Sequence, residues 1–344
     1  MMLSVRKITK GYGHLSVDEI PVPEPGPGEV RLKVVAAGIC GTDMHIYRWV
    51  PFAERLALPT VLGHEISGTV DSVGARVTHV KQGDFVTVES HIPCGTCYAC
   101  RTNRSHVCAH TRYPGVDING GFAEYTVLPA QIVIPLPAGI DRQIAALFEP
   151  FGIAVHASLE GTGVAGLEVL ITGCGPIGLM NIMAAKALGA HRIFATDINP
   201  LRLAQAEAAG ATVCINAAQT NPVSQVLALT HGNGVDVMID YSGAATSIDM
   251  ASECITPGGE LRLLGVPGGK TAVDLGRWLL RGITVRGIHG RRLFHTWEHA
   301  MRLVSDGKVE LRPLISHVLP LQEGPRGFEL IESGQAIKVL LQPN

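Results

Sequence analysis

Cys94, Cys97, Cys100 and Cys108 stand in one run, CGTCYACRTNRSHVC. Gaps of two, two and seven residues let a single loop turn four sulfurs toward one centre. A tetrahedral ion about 2.3 Å from each thiolate meets that demand, and zinc closes such a site with no open position. A closed site holds a loop and does no chemistry. Two other uses of these cysteines compete. A pair of disulfides needs an oxidising compartment, and the opening MMLSVRKITKGYGH shows no apolar stretch of a secretory signal. An iron–sulfur run ends on a short gap and a proline, whereas here seven residues precede Cys108 and an alanine follows it. Among the other cysteines, Cys214 and Cys254 sit in apolar runs and read as small core residues.

The chemistry is expected elsewhere. Cys40 in GICGTD and His64-Glu65 in GHE offer a soft sulfur, an imidazole and a carboxylate, each beside a glycine turn. A lone buried cysteine or histidine is more often packing than ligand, so the case rests on the combination. Three protein ligands leave one position of a zinc ion open, where it polarises a carbonyl or stabilises an alkoxide.

A dinucleotide site is the natural companion. Gly173, Gly175 and Gly178 form GCGPIG, which follows the apolar run VLIT and opens an apolar helix through Pro176 and Ile177. That context is what the motif requires. The first glycine turns the chain, and the second lets backbone approach a pyrophosphate at the helix N-terminus. Asp197 comes 19 residues after Gly178, at the end of the next strand. Its carboxylate suits the adenosine ribose hydroxyls and repels a 2′-phosphate, which favours NAD. Arg202 nearby pulls the other way. The competing reading of GCGPIG is a glycine-rich turn with no dinucleotide.

These residues need elements to hold them. Before residue 150, short β-rich segments such as EVRLKVVAAGIC and EISGTVDSVG alternate with turns. After it, EVLITGCGPIGLMNIMAAKALGA, HRIFATDINPLRLAQAEAAGA, VDVMIDYSG and ELRLLGVPG alternate strand with helix, the pattern of a doubly wound parallel sheet. The expectation is an α/β protein. A Rossmann domain spans 154–290, and 1–153 with 291–344 form a β-rich domain carrying a zinc lobe at about 90–110. A length of 344 residues suits two domains, and 46% hydrophobic residues suffice for large cores. A net charge of −2 with no basic stripe argues against nucleic acid or an anionic membrane as partner. No apolar run approaches the ~20 residues of a membrane span. The expected location is the cytoplasm.

GICGTD, GHEISGTV, VGARV through GDFV, the four-cysteine lobe and GCGPIG together resemble the zinc-dependent medium-chain alcohol dehydrogenases over essentially the whole chain. GTDMHIYRW, ESHIPCGTC, GGFAEY, FEPFGIAVH and GRRLFHTW resemble its threonine-oxidising branch in particular. The resemblance implies a GroES-like catalytic domain and roles residue by residue. Cys40, His64 and Glu65 match catalytic zinc ligands. Glu149 matches an acid beside the zinc, and Thr42 and His45 match a proton relay. Ile177, Asp197, Arg202, Leu264, Gly265, Val266, Ile288 and His289 match cofactor contacts. A homotetramer is also implied. Two positions depart from the branch: Ile153 stands where asparagine is usual, and His289 where tyrosine is usual.

The leading expectation is hydride transfer from a secondary alcohol to NAD, with L-threonine as substrate and 2-amino-3-oxobutanoate as product. His91, three residues before Cys94, is expected to contact the substrate's polar end. The rival enzyme is a polyol or cyclitol dehydrogenase, which Ile153 favours. A non-catalytic NAD-binding protein is a third class, and the presence of Cys40, His64 and Glu65 argues against it.

Overall fold

The computed structural model describes residues 1–343 and divides into two compact units, Met1–Pro150 with Glu310–Asn344, and Phe151–Val309. Residues 291–309, grouped with the C-terminal tail on sequence grounds, fall in the second unit.

The first unit is built from β-structure. A seven-stranded sheet runs in the order Ile315–Pro320, Lys338–Gln342, Glu29–Gly38, Glu65–Val73, Phe85–Val88, Val133–Pro135, with Tyr125–Pro129 also paired to Glu29–Gly38. A three-stranded sheet joins Leu15–Ile20, Met2–Lys7 and Thr60–Val61. Alternation explains why Glu29–Gly38 is a strand: Val30, Leu32 and Val34 are buried while Lys33 is exposed. Val30, Leu32, Ile66, Val86, Val88 and Phe122 belong to one core cluster, and the ends of these strands carry the reactive residues.

The second unit has a six-stranded parallel sheet ordered Val213–Asn216, Arg192–Asp197, Glu168–Thr172, Val235–Asp240, Ile255–Leu263, Thr284–Gly287. In chain order within the unit this is 3-2-1-4-5-6, with the switch point between Glu168–Thr172 and Val235–Asp240. Open sheets of this kind bind ligands beyond the carboxyl ends of the strands at that point. Both central strands are almost wholly buried, with apolar residues through their middles, as suits strands covered on both faces. Cys254 is buried as expected, but Cys214 is exposed. It lies on the edge strand Val213–Asn216, where Ile215 takes the inward position. Among the described residues, no helix is long and apolar enough to cross a membrane.

Candidate active site

Strand Glu29–Gly38 delivers the chain to Cys40, which caps helix Gly41–Arg48. The buried Asp43 carboxylate accepts from Cys40 N at 2.9 Å through Oδ2 and from Gly63 N at 3.3 Å through Oδ1. One carboxylate thereby ties together the two loops that carry Cys40 and His64. Gly63 has φ +90°, and a Cβ there would fall 2.4 Å from the Phe122 ring, so the GHE turn requires glycine. Glu65 then starts strand Glu65–Val73. A ligand atom from each of Cys40, His64 and Glu65 lies within 4.8 Å of the others.

The donor set fits a cation. His64 Nδ1 is buried with no hydrogen-bond partner, and so is Glu65 Oε1. Asp43 Oδ1 stands 3.9 Å from His64 Nδ1, too far to satisfy it. Unpaired buried polar atoms of this kind cost about 1–3 kcal/mol each unless something else binds them. Electrostatics agree. Burial by itself lowers the His64 pKa, but Cys40, Asp43 and Glu149 overcome that and raise it to about 10. Burial raises the Asp43 and Glu65 carboxyls, with Lys338 opposing at Glu65. A pocket that drives its histidine to hold a proton is short of positive charge. Sulfur, imidazole and carboxylate together suit zinc.

Around this trio stand the other expected residues. Thr42 Oγ1 is 4.0 Å from Cys40 Sγ. His45 is three residues further along the same helix, so the two share a face. Much of His45 faces solvent, yet partial desolvation first, and Arg48 second, lower its pKa. Glu149 is buried in the first turn of helix Phe148–Leu159 and acts electrostatically on His64, Glu65 and Lys338. His91 is buried as well, with its ring Nδ1 2.8 Å from Glu89 Oε1.

Three residues here were not expected from the sequence. Asp43 follows Cys40 by three, the spacing of a helix-capping box, and that was a readable signal. Glu89 lies two residues before His91. Lys338, from strand Lys338–Gln342, meets Glu65 Oε2 and donates to Ile39 O at 3.0 Å. Nothing local in the sequence pairs Lys338 with Glu65.

The four-cysteine lobe forms a second centre. Sulfur separations are 3.5 Å for Cys108–Cys94, 3.6 Å for Cys97–Cys100 and 3.7 Å for Cys97–Cys108. A disulfide needs about 2.05 Å. A tetrahedron with bonds of about 2.3 Å has edges of about 3.8 Å. The spacing matches the tetrahedron. Gly95, at φ +75°, makes the turn. Backbone N–H groups point at sulfur: Cys97 N to Cys94 Sγ and Cys94 N to Cys108 Sγ at 3.4 Å, and His110 N to Cys108 Sγ at 3.3 Å. Bonds from Thr96 and Cys97 pull the Cys94 thiol down to about 5, while burial and the neighbouring thiols push Cys100 up to about 11. Four crowded sulfurs cannot all ionise until a cation sits among them.

In the second unit, GCGPIG links strand Glu168–Thr172 to helix Pro176–Ala187. Gly173 has φ +87°, and a Cβ on Gly178 would fall 2.0 Å from Gly173 O. At Gly175 the same test finds no atom within 4 Å. Two glycines are demanded by protein packing, and the third faces the open space a pyrophosphate needs. Asp197 accepts from Cys174 N and Asn199 N at 2.8 Å each, one bond per oxygen, which leaves lone pairs for a ribose. Arg202 lies 3.9 Å from it with a half-exposed side chain. Leu264 N and Gly265 N both donate to Asp240 O at 2.9 Å, and Val266 beyond them is exposed. Ile288 is buried and its N–H bonds Leu263 O at 2.9 Å, with the exposed His289 next along the chain. Asp240 itself was not foreseen. It gathers Thr172, Ser242, Ser247 and Gly243 N at the switch point.

Comparison with known proteins gives the family. Residues 26–138 match the alcohol dehydrogenase GroES-like domain and residues 176–306 the zinc-binding dehydrogenase family. The chain is 44% identical to an L-threonine 3-dehydrogenase of Bacillus velezensis over 99% of both proteins, and 42% identical to one of Pyrococcus horikoshii over 98% of both. Its fold matches a short chain alcohol dehydrogenase from Escherichia coli CFT073, solved with the cofactor NADH, at a TM-score of 0.91 and 30% identity over 99% of each chain. Identity of this order over the full length, with both domain types matched in sequence, shows that the chain belongs to the zinc-dependent medium-chain alcohol dehydrogenases.

Proposed function

We propose that this enzyme oxidises the 3-hydroxyl of L-threonine with NAD, giving 2-amino-3-oxobutanoate. The observation that carries the substrate is full-length similarity at 44% identity to a protein of that activity. The buried Glu89–His91 pair, on the same unit as the metal ligands, supports it.

Cys40, His64 and Glu65 hold the catalytic metal in this reading. Zinc bound there supplies Lewis acidity that makes the alcohol hydroxyl easier to ionise. Thr42 takes the released proton on its hydroxyl and hands one to His45, whose lowered pKa keeps the ring neutral and able to accept it. Glu149 adds negative charge that favours the metal and proton release. His91 contacts the polar end of the substrate. Gly173, Gly175, Pro176, Ile177 and Gly178 cradle the pyrophosphate of NAD, and Asp197 binds the adenosine ribose, with Arg202, Leu264, Gly265, Val266, Ile288 and His289 as further contacts. Cys94, Cys97, Cys100 and Cys108 hold a structural zinc. Thiols packed this closely imply a reducing compartment, which supports a cytoplasmic location.

A homotetramer is proposed for the assembly. Among the described residues, strand Thr284–Gly287 is an edge of its sheet, and its Val285 together with Leu275, Leu279 and Leu280 of helix Leu275–Leu280 is exposed. An apolar edge of this kind calls for a covering partner.

The second reading, a polyol dehydrogenase, rests on Ile153, which stands one helical turn past Glu149 in helix Phe148–Leu159. A panel of L-threonine, sorbitol, xylitol and inositol, followed by NADH absorbance, separates the two. Higher kcat/KM for threonine is expected. Higher kcat/KM for a polyol overturns the threonine reading.

A further inference from the structure

We propose that Asp240 is a positioning residue for the dinucleotide. It fixes the turn at 242–243, and through that turn the spacing between the glycine loop and the segment 264–266, so that both halves of NAD are held at once. The inference rests on the reading of GCGPIG and 264–266 as cofactor contacts and adds what sets their separation.

Asp240 is fully buried. It ends strand Val235–Asp240, with Thr172 paired to it on one side and Leu263 on the other. Its carboxylate receives five hydrogen bonds, four on Oδ1 and one on Oδ2. Oδ1 accepts from the hydroxyls of Thr172 and Ser242 at 2.6 Å each, from that of Ser247 at 2.8 Å and from Ser242 N at 3.3 Å. Oδ2 accepts from Gly243 N at 2.9 Å. Thr172 is the last residue before GCGPIG, and Ser247 lies in helix Ala245–Cys254. One side chain therefore joins the strand that feeds the glycine loop, the 242–243 turn and the helix after it. The carbonyl of the same residue holds a further segment, by accepting from Leu264 N and Gly265 N at 2.9 Å each.

These turns meet backbone to backbone. A Cβ on Gly173 would fall 2.9 Å from Ser242 N, and one on Gly265 would overlap Gly243 N. Packing this close transmits a shift, so a displaced 242–243 turn moves GCGPIG and 264–266 relative to each other. Strand order sets Asp197, GCGPIG, Asp240 and 264–266 in succession along the carboxyl edge of the sheet. With the adenosine ribose at Asp197 and the pyrophosphate at the glycine loop, the nicotinamide half reaches 264–266. A ligand that spans the whole row is sensitive to the spacing that Asp240 sets. ADP, which keeps the adenosine and two phosphates, ends at the glycine loop and is not.

The test measures the dissociation constants of NAD and of ADP by titration calorimetry, together with Tm, for wild type, Asp240→Asn, Thr172→Val and the double variant. An amide at 240 has one oxygen for five donors, and either orientation turns its NH2 group against the N–H of Ser242 or of Gly243, neither of which can accept. Asp240→Asn is expected to weaken NAD about tenfold, as an unmade buried hydrogen bond should, and ADP by no more than about threefold, because only the spacing is lost. Thr172→Val removes one hydroxyl donor and should weaken NAD about threefold. The double variant should lose less than the product of the two, since both act through one carboxylate. Unchanged NAD affinity in Asp240→Asn overturns the proposal. So does an equal loss for NAD and ADP, which would make Asp240 a support of the fold alone, whatever the change in Tm. Should Asp240→Asn fail to fold, Thr172→Val and Ser247→Ala carry the test, and an unchanged NAD-to-ADP ratio in both again overturns the role. A wild type with no affinity for NAD ends the cofactor reading and this inference together. A wild type that binds NAD, with a ratio indifferent to Asp240, ends only this one.

Discussion

Lys338 and Glu65 form an ion pair inside the protein, with side chains 3% and 1% exposed. The lysine also donates to Ile39 O, directly before Cys40. Burial lowers the lysine pKa, but Glu65, Cys40 and Glu149 outweigh burial and raise it. If Glu65 holds the proposed catalytic metal, it is shared between that metal and a cation from the far end of the chain. Removing one partner of such a pair leaves an uncompensated charge and typically costs about 3–5 kcal/mol. Lys338→Met should lower the Tm of metal-free protein strongly, and that of zinc-loaded protein much less, since the ion then compensates Glu65. Thermal melts with and without chelator read the difference. Equal losses in both forms would show that Lys338 does not share Glu65 with the metal.

The two centres should separate by mutation. Cys97→Ser should lower the Tm and reduce zinc content from two ions to one per chain, because a structural zinc contributes folding energy directly. Cys40→Ser should also leave one ion but keep the Tm within a few degrees, roughly the scale of a 1 kcal/mol change, while abolishing turnover. Metal analysis with calorimetry decides it. One zinc or none in freshly prepared wild type counts against two centres.

Asp197→Ala should weaken NAD binding about ten- to a hundred-fold, the worth of a charge-assisted hydrogen bond, and narrow the preference over NADP. Because Asp197 also receives Cys174 N, part of the loss should come from a loosened glycine turn. Asp197→Asn, which keeps one acceptor, should lose less. Titration of NAD and NADP by fluorescence measures both. Unchanged affinities would mean that the carboxylate serves the turn alone.

In the proposed relay, His45 should set the acid limb of the pH profile. Its pKa lies below the ordinary histidine value through desolvation and then Arg48. The neutral, proton-accepting ring therefore persists to lower pH than in a free histidine, and activity should fall only below about pH 6.5. Arg48→Ala removes one lowering influence and should shift the limb upward. His45→Asn should erase the limb and slow turnover roughly 10²-fold or more. A profile unaffected by either change removes His45 from the relay.

Ile153→Asn should raise kcat/KM for L-threonine by several-fold if an apolar side chain at this helix position weakens a polar substrate, on the order of one added hydrogen bond. Steady-state kinetics with threonine and sorbitol shows the direction. A gain for sorbitol alone would make Ile153 irrelevant to threonine.

Much of this architecture is legible because its chemistry demands fixed spacing. Four thiolates on one short loop, or three glycines between a strand and a helix, leave few alternative meanings. The strand–helix alternation after residue 150 likewise matches the parallel sheet that forms. What escapes is tertiary. Lys338 is separated from Glu65 by most of the chain, and the antiparallel pairing of Leu340 with Gly38 and of Leu341 with Ala37 brings its strand there. Cys214 was read as core from its apolar neighbours, yet position at a sheet edge turned it outward. Asp240 looks like an ordinary strand end until its four partners converge on it.

The clasp of Asp43 on Cys40 and Gly63 bears on how the protein can be handled. Backbone hydrogen bonds already hold the loops that present two of the three ligands, so their arrangement does not depend on an ion to create it. Such a preorganised site should be open to stripping and refilling in the native state, with a spectroscopically visible ion such as cobalt in the place of zinc. The cysteine lobe, whose four thiolates would enclose an ion with no open position, should keep its original ion through the same exchange.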